Sequence, residues 1–164
     1  MSTLSKGKEE STGQANNEYF PERDLSFQRV VNPNPKKLTP EQIEFFNENG
    51  YLKPFRIFDE QQVTAHRAYF DGLLESIKKL NDGRDTYAIN GYQNQCRGIY
   101  DIAVNPLILD YVEDLLGPNI VTWGTHFFCK PPHESRQVPW HQDAAYWPFD
   151  KSRTVTAWLA IDDA

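Results

Sequence analysis

The chain has 164 residues, a formal net charge of −6, 39% hydrophobic residues and 13% aromatic residues. That length accommodates one domain with its own core, and so many aromatics exclude a wholly disordered chain. The acidic balance, with a pI near 5.2, excludes a general nucleic-acid binder, which needs a basic surface. No run approaches the ~20 apolar residues of a membrane-spanning helix, and no apolar segment follows Met1 as a secretory leader requires. The expected setting is the cytosol, with neither nucleic acid nor membrane as a partner. Cys96 and Cys129 are expected as free thiols.

Residues 1–37 are polar, poor in aliphatics and without periodicity, and read as a disordered arm. Lys36-Lys37, like Lys78-Lys79, reads as a solvated pair. The domain opens at Leu38. Thr39-Pro40-Glu41-Gln42 is a helix start: Thr39 can cap, Pro40 suits the first position, and Gln42 completes a capping box. Ile43, Phe45 and Phe46 supply the apolar stripe and Gly50 the stop. Residues 51–58 read as a short strand kinked at Pro54. Asp59-Glu60-Gln61-Gln62 repeats the capping signal and opens a helix to about Leu80, with Val63, Phe70, Leu73, Leu74 and Ile77 inward. Asn81-Asp82-Gly83 ends it.

Residues 86–101, polar and punctuated by Tyr87, Tyr92 and Tyr100, read as loop and short strand. A third helix spans 106–116 and stops at Gly117-Pro118. The period then changes. Segments 120–130 and 154–161 are rich in β-branched and aromatic residues, as strands are. Helices followed by strands, with no alternation, predict an α+β domain in which helices flank an antiparallel sheet. No internal repeat is visible.

His141-Gln142-Asp143 carries the chemistry. On extended backbone, residues i and i+2 project from one face, so an imidazole and a carboxylate aim at a common point. Together they are two-thirds of the 2-His-1-carboxylate triad, which holds Fe(II) on one side and leaves positions open. Alone, the pattern is unspecific, since a surface histidine beside an aspartate is more often a solvated pair. His66 reads as a helix-face residue and His133 as an exposed loop residue. The cysteines lack a Cys-x-x-Cys spacing, which argues against structural zinc.

The setting of that pattern is more informative. Lys130-Pro131-Pro132, Pro139-Trp140-His141-Gln142-Asp143, Tyr146-Trp147-Pro148-Phe149 and Ala157-Trp158 form one extended signature. With Leu38-Thr39-Pro40-Glu41-Gln42, Phe45 and Asn49-Gly50-Tyr51, it resembles the phytanoyl-CoA dioxygenase family of Fe(II)/2-oxoglutarate-dependent oxygenases over residues 38–164. The resemblance implies a double-stranded β-helix, jelly-roll or cupin-like, with flanking N-terminal helices. It implies His141 and Asp143 as metal ligands, and His126, Gln142 and Trp158 beside the 2-oxoglutarate. Tyr146 and Trp147, with Phe149, would wall the substrate side, although ordinary packing is an equally open reading of His126 and Trp158 and the more usual one for an aromatic cluster after a turn. Fe(II) is then the cofactor, 2-oxoglutarate and O₂ the co-substrates, and the substrate a small organic or acyl-CoA-type molecule. Halogenases of similar fold replace the carboxylate by a small residue; the presence of Asp143 favours hydroxylation.

The sequence also departs from the family's pattern. That pattern requires a second histidine on a late strand and, further on, a basic residue for the distal carboxylate of 2-oxoglutarate. Only 21 residues follow Asp143 (143 to 164), none is histidine, and the last arginine, Arg153, comes too early. Ile161-Asp162-Asp163-Ala164 falls where the sheet would be half built, leaving an open strand edge. The expectation is an N-terminal portion truncated before the sheet is complete. The rival is an inactive or degenerate fragment serving as a binding or interaction module. A zinc hydrolase would need a general base that cannot be identified here.

Overall fold

The computed structural model describes residues 23–81, 88–130, 133, 137–149, 151 and 153–162. Helix α1 (Pro40–Asn49) begins at the expected capping box: Gln42 N–H donates to Thr39 Oγ1 at 3.2 Å, and Thr39 N–H donates to Gln42 Oε1 at 2.9 Å. Gly50, at φ 77°, closes it in the left-handed conformation that a glycine adopts without steric cost. Helix α2 (Glu60–Leu80) repeats the device, with Gln62 N–H donating to Asp59 at 2.8 Å and Asp59 N–H to Gln62 Oε1 at 3.0 Å. Each box satisfies two donors that a bare helix end would leave to water.

The chain divides into two compact units, Met1–Phe27 with Pro139–Ser152, and Gln28–Val138 with Arg153–Ala164. The larger unit holds both helices above. On α2, Phe70, Leu73, Leu74 and Ile77 recur at the spacing that places them on one face. They pack with Ile89, Tyr92, Phe127 and Cys129, and the Phe70 and Phe127 rings stack at 5.1 Å. Each Phe or Ile removed from water here contributes about 2 kcal/mol. Ile89 and Phe127 face each other across a two-stranded antiparallel sheet, β1 (Ala88–Asn90) and β2 (His126–Phe128). Alternation along β2 turns the half-buried Phe127 inward and His126 and Phe128 outward, where their rings stack at 4.1 Å.

Helices α3 (Arg97–Ala103) and α4 (Pro106–Leu116) complete this unit. Asn105 caps α4 by accepting from Leu107 N–H at 2.9 Å, with Pro106 in the first turn. Near the far end of α4, Asp114 is only 2% exposed. Its carboxylate accepts N–H groups from Lys36 (2.7 Å), Lys37 (2.7 Å) and Leu38 (2.8 Å). Burial alone would raise this carboxyl, but the three donors, aided by the Lys36 charge, outweigh it and hold the pKa below the ordinary aspartate value. Lys36 also pairs with Glu113 at 2.7 Å, and Lys37 lies 3.8 Å from Asp110. Asn47 pairs with Val30 through both of that residue's backbone groups. Within the stretch assigned from sequence to a polar arm, residues 30–37 thus hydrogen-bond to α1 and α4.

Several expected strands are shorter or differently held. Residues 51–58 form no ladder; Phe55 packs on Tyr111 of α4 and Phe58 on His66 of α2, each at 4.6 Å. Their aromatic content reflects docking on helices, which resembles strand composition. Of residues 120–130 only His126–Phe128 pair. Residues 154–161 have no ladder partner among the described residues; they run between Arg153, which donates to the Leu116 carbonyl at 3.1 Å, and Asp162, which pairs with Arg67. The stretch read as loop and short strand contains β1 but also α3, whose Ile99 is 1% exposed. Gly98 makes room there, because a Cβ would lie 2.5 Å from the Tyr69 ring. The described residues therefore show the α+β class, with four α-helices and a two-stranded sheet, and no larger double sheet among them. Residues 1–22 of the arm, the Asp82-Gly83 stop, Tyr87 and the Pro131-Pro132 pair lie outside the described residues.

Candidate metal centre

The smaller unit carries the H-x-D pattern, and its described residues are 23–27, 139–149 and 151. Residues 139–142 have no ladder partner among the described residues, yet Gln142 has the extended dihedrals expected there (φ −117°, ψ 116°). One extended residue is enough to carry i and i+2 to the same side. The His141 and Asp143 side chains accordingly converge, Nε2 and Oδ1 being 3.1 Å apart. Asp143 then opens a short 3₁₀ turn, Asp143–Ala145, closed by Tyr146 N–H donating to the Asp143 carbonyl at 2.9 Å.

The other ring nitrogen has its own partner. The Pro139 carbonyl can only accept, so Nδ1 carries a proton and donates to it at 2.7 Å. That selects the tautomer in which the neutral ring presents Nε2 as a lone-pair donor. The Pro139 carbonyl, foremost, and the Asp143 carboxylate together hold the imidazole above its ordinary pKa, outweighing the desolvation that opposes them. When the ring is protonated, Nε2–H donates to Asp143. A cation would take that proton's place. Two ligand atoms ~2.1 Å from one divalent ion and at right angles lie about 3 Å apart, and the observed 3.1 Å matches. Donor chemistry, tautomer and spacing all fit a metal.

The remaining candidates fall in two places. Gln142 is exposed beside the pair, Tyr146 sets its ring edge-on to His141 at 6.3 Å, and Trp147 is half-buried against Phe149 at 6.2 Å. His126 and Trp158 belong to the larger unit. His126 stands on the outer face of β2, where partial desolvation lowers its pKa, and Trp158 is 69% exposed. Neither is a core residue. His66 lies on α2 as expected, His133 is an exposed loop residue, and both cysteines are free. Among the described residues no third His, Cys, Asp or Glu joins His141 and Asp143.

Two contributors escaped the sequence reading. Pro139 acts through its carbonyl, which no side-chain pattern reports. Arg23, in the polar N-terminal stretch, donates from Nη1 to the carbonyls of Trp147 at 2.6 Å and Ala144 at 3.3 Å. No local signal marks a residue whose partners lie more than a hundred positions away.

The described residues thus show a helix-bearing α+β chain with a convergent histidine–carboxylate pair on a loop. The family model described as Phytanoyl-CoA dioxygenase (PhyH) matches residues 46–164. The chain belongs to this family of cupin-like dioxygenases. It is 27% identical to the human protein named phytanoyl-CoA dioxygenase, peroxisomal, over 146 residues, covering 76% of this chain and 43% of that protein. To the mouse protein of the same name it is 28% identical, with the same coverage. To a probable phytanoyl-CoA dioxygenase of Caenorhabditis elegans it is 24% identical over 149 residues, covering 76% of this chain and 48% of that one. The chain thus spans less than half the length of these relatives. No solved structure matches it. Among the described residues no helix is long and apolar enough to cross a membrane.

Proposed function

We propose that this chain supplies the His141–Asp143 half of an Fe(II) site in a 2-oxoglutarate-dependent hydroxylase of a small organic or acyl-CoA-type substrate. The observation that carries the reading is the 3.1 Å approach of Nε2 to Oδ1 with the opposite ring nitrogen held by Pro139. Family membership over residues 46–164 supports it independently. When bound, Fe(II) would supply the activation of O₂ that insertion into an unactivated C–H bond requires, with 2-oxoglutarate as the reductant. The chain's own residues prepare the place. Pro139 fixes the imidazole tautomer, Asp143 offers the anionic oxygen, and the extended Gln142 sets their spacing. His126, Gln142 and Trp158 are assigned to the 2-oxoglutarate side, and Tyr146 and Trp147 to the substrate side. Asp143 makes oxygen transfer, rather than halogenation, the reaction class.

Anaerobic addition of Fe(II) and 2-oxoglutarate to the chain tests this by the visible charge-transfer band that appears when both share one site. The expected result is a band that Asp143→Ala abolishes. A band equal in both proteins would remove the assignment, and none in either would show that the chain alone does not complete a site. In the second case the non-catalytic binding-module reading takes its place, favoured by the absence of a third ligand among the described residues.

A further inference from the structure

The turn that follows Asp143 has little of its own to hold it. It contains one internal backbone hydrogen bond, from Tyr146 N–H to the Asp143 carbonyl, and the side chains of His141, Gln142, Asp143 and Tyr146 are exposed. A three-residue 3₁₀ turn with one such bond is poorly stable by itself. Its outgoing carbonyls, Ala144 and Trp147, are instead both bound by the half-buried Arg23 guanidinium. These are charge-assisted donors from a group that stays protonated at any physiological pH, roughly twice as strong as neutral ones.

Two further contacts keep Arg23 in register. Asp24 bridges Lys151 in parallel, pinning the far end of the loop. The Asp24 carboxylate accepts from Ser26 N–H at 3.0 Å and Ser26 Oγ at 2.6 Å, turning the chain immediately afterwards. Residues 23–26 thus make a clasp with three elements: a guanidinium over the turn, a backbone bridge beyond it, and an Asx turn that ends the extended stretch.

We propose that Arg23 is a positioning residue for the metal-ligand loop, holding the Asp143 turn in the conformation that aims its carboxylate at the His141 Nε2 side. The inference rests on the proposed role of His141 and Asp143. Its physical basis is that the two carbonyls bound by Arg23 lie one and four residues after Asp143, within and just beyond the turn that Asp143 opens, so the guanidinium ties down the outgoing side of that turn. Groups that orient metal ligands in this way change metal affinity by about 10- to 100-fold when removed. A residue outside the H-x-D signature, drawn from the polar N-terminal stretch, would therefore belong to the metal site.

The test uses the full chain, with Mn(II) as the probe and amide exchange as a metal-free measurement. Free Mn(II) is followed by electron paramagnetic resonance in wild type, Arg23→Ala, Arg23→Lys and Asp143→Ala. Exchange of the Tyr146 amide is followed by NMR in the metal-free proteins, with the α4 amides as internal reference. Arg23→Ala is expected to weaken Mn(II) binding about 10-fold or more and to speed Tyr146 exchange while α4 exchange stays unchanged. Arg23→Lys, which can still donate to two carbonyls, is expected to restore most of both. If Arg23→Ala leaves Tyr146 exchange unchanged, or speeds it with no loss of Mn(II) affinity, the clasp has no positioning role. If wild type and Asp143→Ala take up Mn(II) equally, the assignment of the ligands themselves fails, and the inference fails with it. The Asp143→Ala arm therefore separates the two failures.

Discussion

The larger unit and the H-x-D loop are held in shape by different means. In the larger unit, α2 buries Phe70 and Ile77 against Ile89 and Phe127, two capping boxes close helix N-termini, and Asp114 gathers three backbone N–H groups out of water. In the loop, the chemistry-bearing side chains are exposed and order comes from a few polar contacts to backbone carbonyls: Nδ1 to Pro139, and Arg23 to Ala144 and Trp147. Burial supplies stability that is insensitive to detail on the surface, whereas polar contacts supply direction at little net energy. The contrast is that of a scaffold and a working loop. Substitutions in the first should move the unfolding transition, and those in the second should move metal binding alone.

Asp114→Ala should break the scaffold most. It strands three N–H donors around a site 2% exposed, at a cost of about 3 kcal/mol, read as a lower urea midpoint. The pH dependence has a definite sign. Because the folded carboxyl is depressed, its stabilisation is complete above the unfolded aspartate value, near 3.9, and fades as pH falls through the lower folded value. The difference between wild type and Asp114→Ala should thus shrink from pH 7 to pH 3. A difference that stays constant would show that the carboxylate's charge is not what holds residues 36–38.

Gly98→Ala should have a smaller effect whose sign depends on Tyr69. The new methyl meets the Tyr69 ring at 2.5 Å, so it should destabilise by about 1 kcal/mol in the wild-type background. In a Tyr69→Ala background the same change should stabilise by about 1 kcal/mol through helix propensity. Equal effects in the two backgrounds, measured by a double-mutant cycle, would mean that α2 and α3 are not in the contact described.

Trp140→Ala should be nearly silent in stability, within about 0.5 kcal/mol, since the indole is fully exposed next to His141. A large loss of stability on thermal melting would contradict the distinction between scaffold and loop, because it would reveal burial in the loop.

The sequence by itself determined the two capped helices and α4, because caps, apolar periodicity and stop signals act within a few residues of one another. It also determined the H-x-D convergence, for the same reason: a two-residue separation on extended backbone leaves little choice of direction. Composition misled where aromatic and β-branched residues docked on helices, as Phe55 and Phe58 do, because apolar burial in a strand and on a helix selects similar side chains. It also hid α3, whose helix places a glycine under Tyr69 for reasons of space. What only the tertiary structure decided were the polar pairings across long separations. Asp114 meets Lys37 across 77 positions, and Arg23 meets Ala144 across 121. A buried carboxylate and an arginine clasp are ordinary charged residues in a sequence; only the folded backbone brings to them the N–H and carbonyl groups that define what they do.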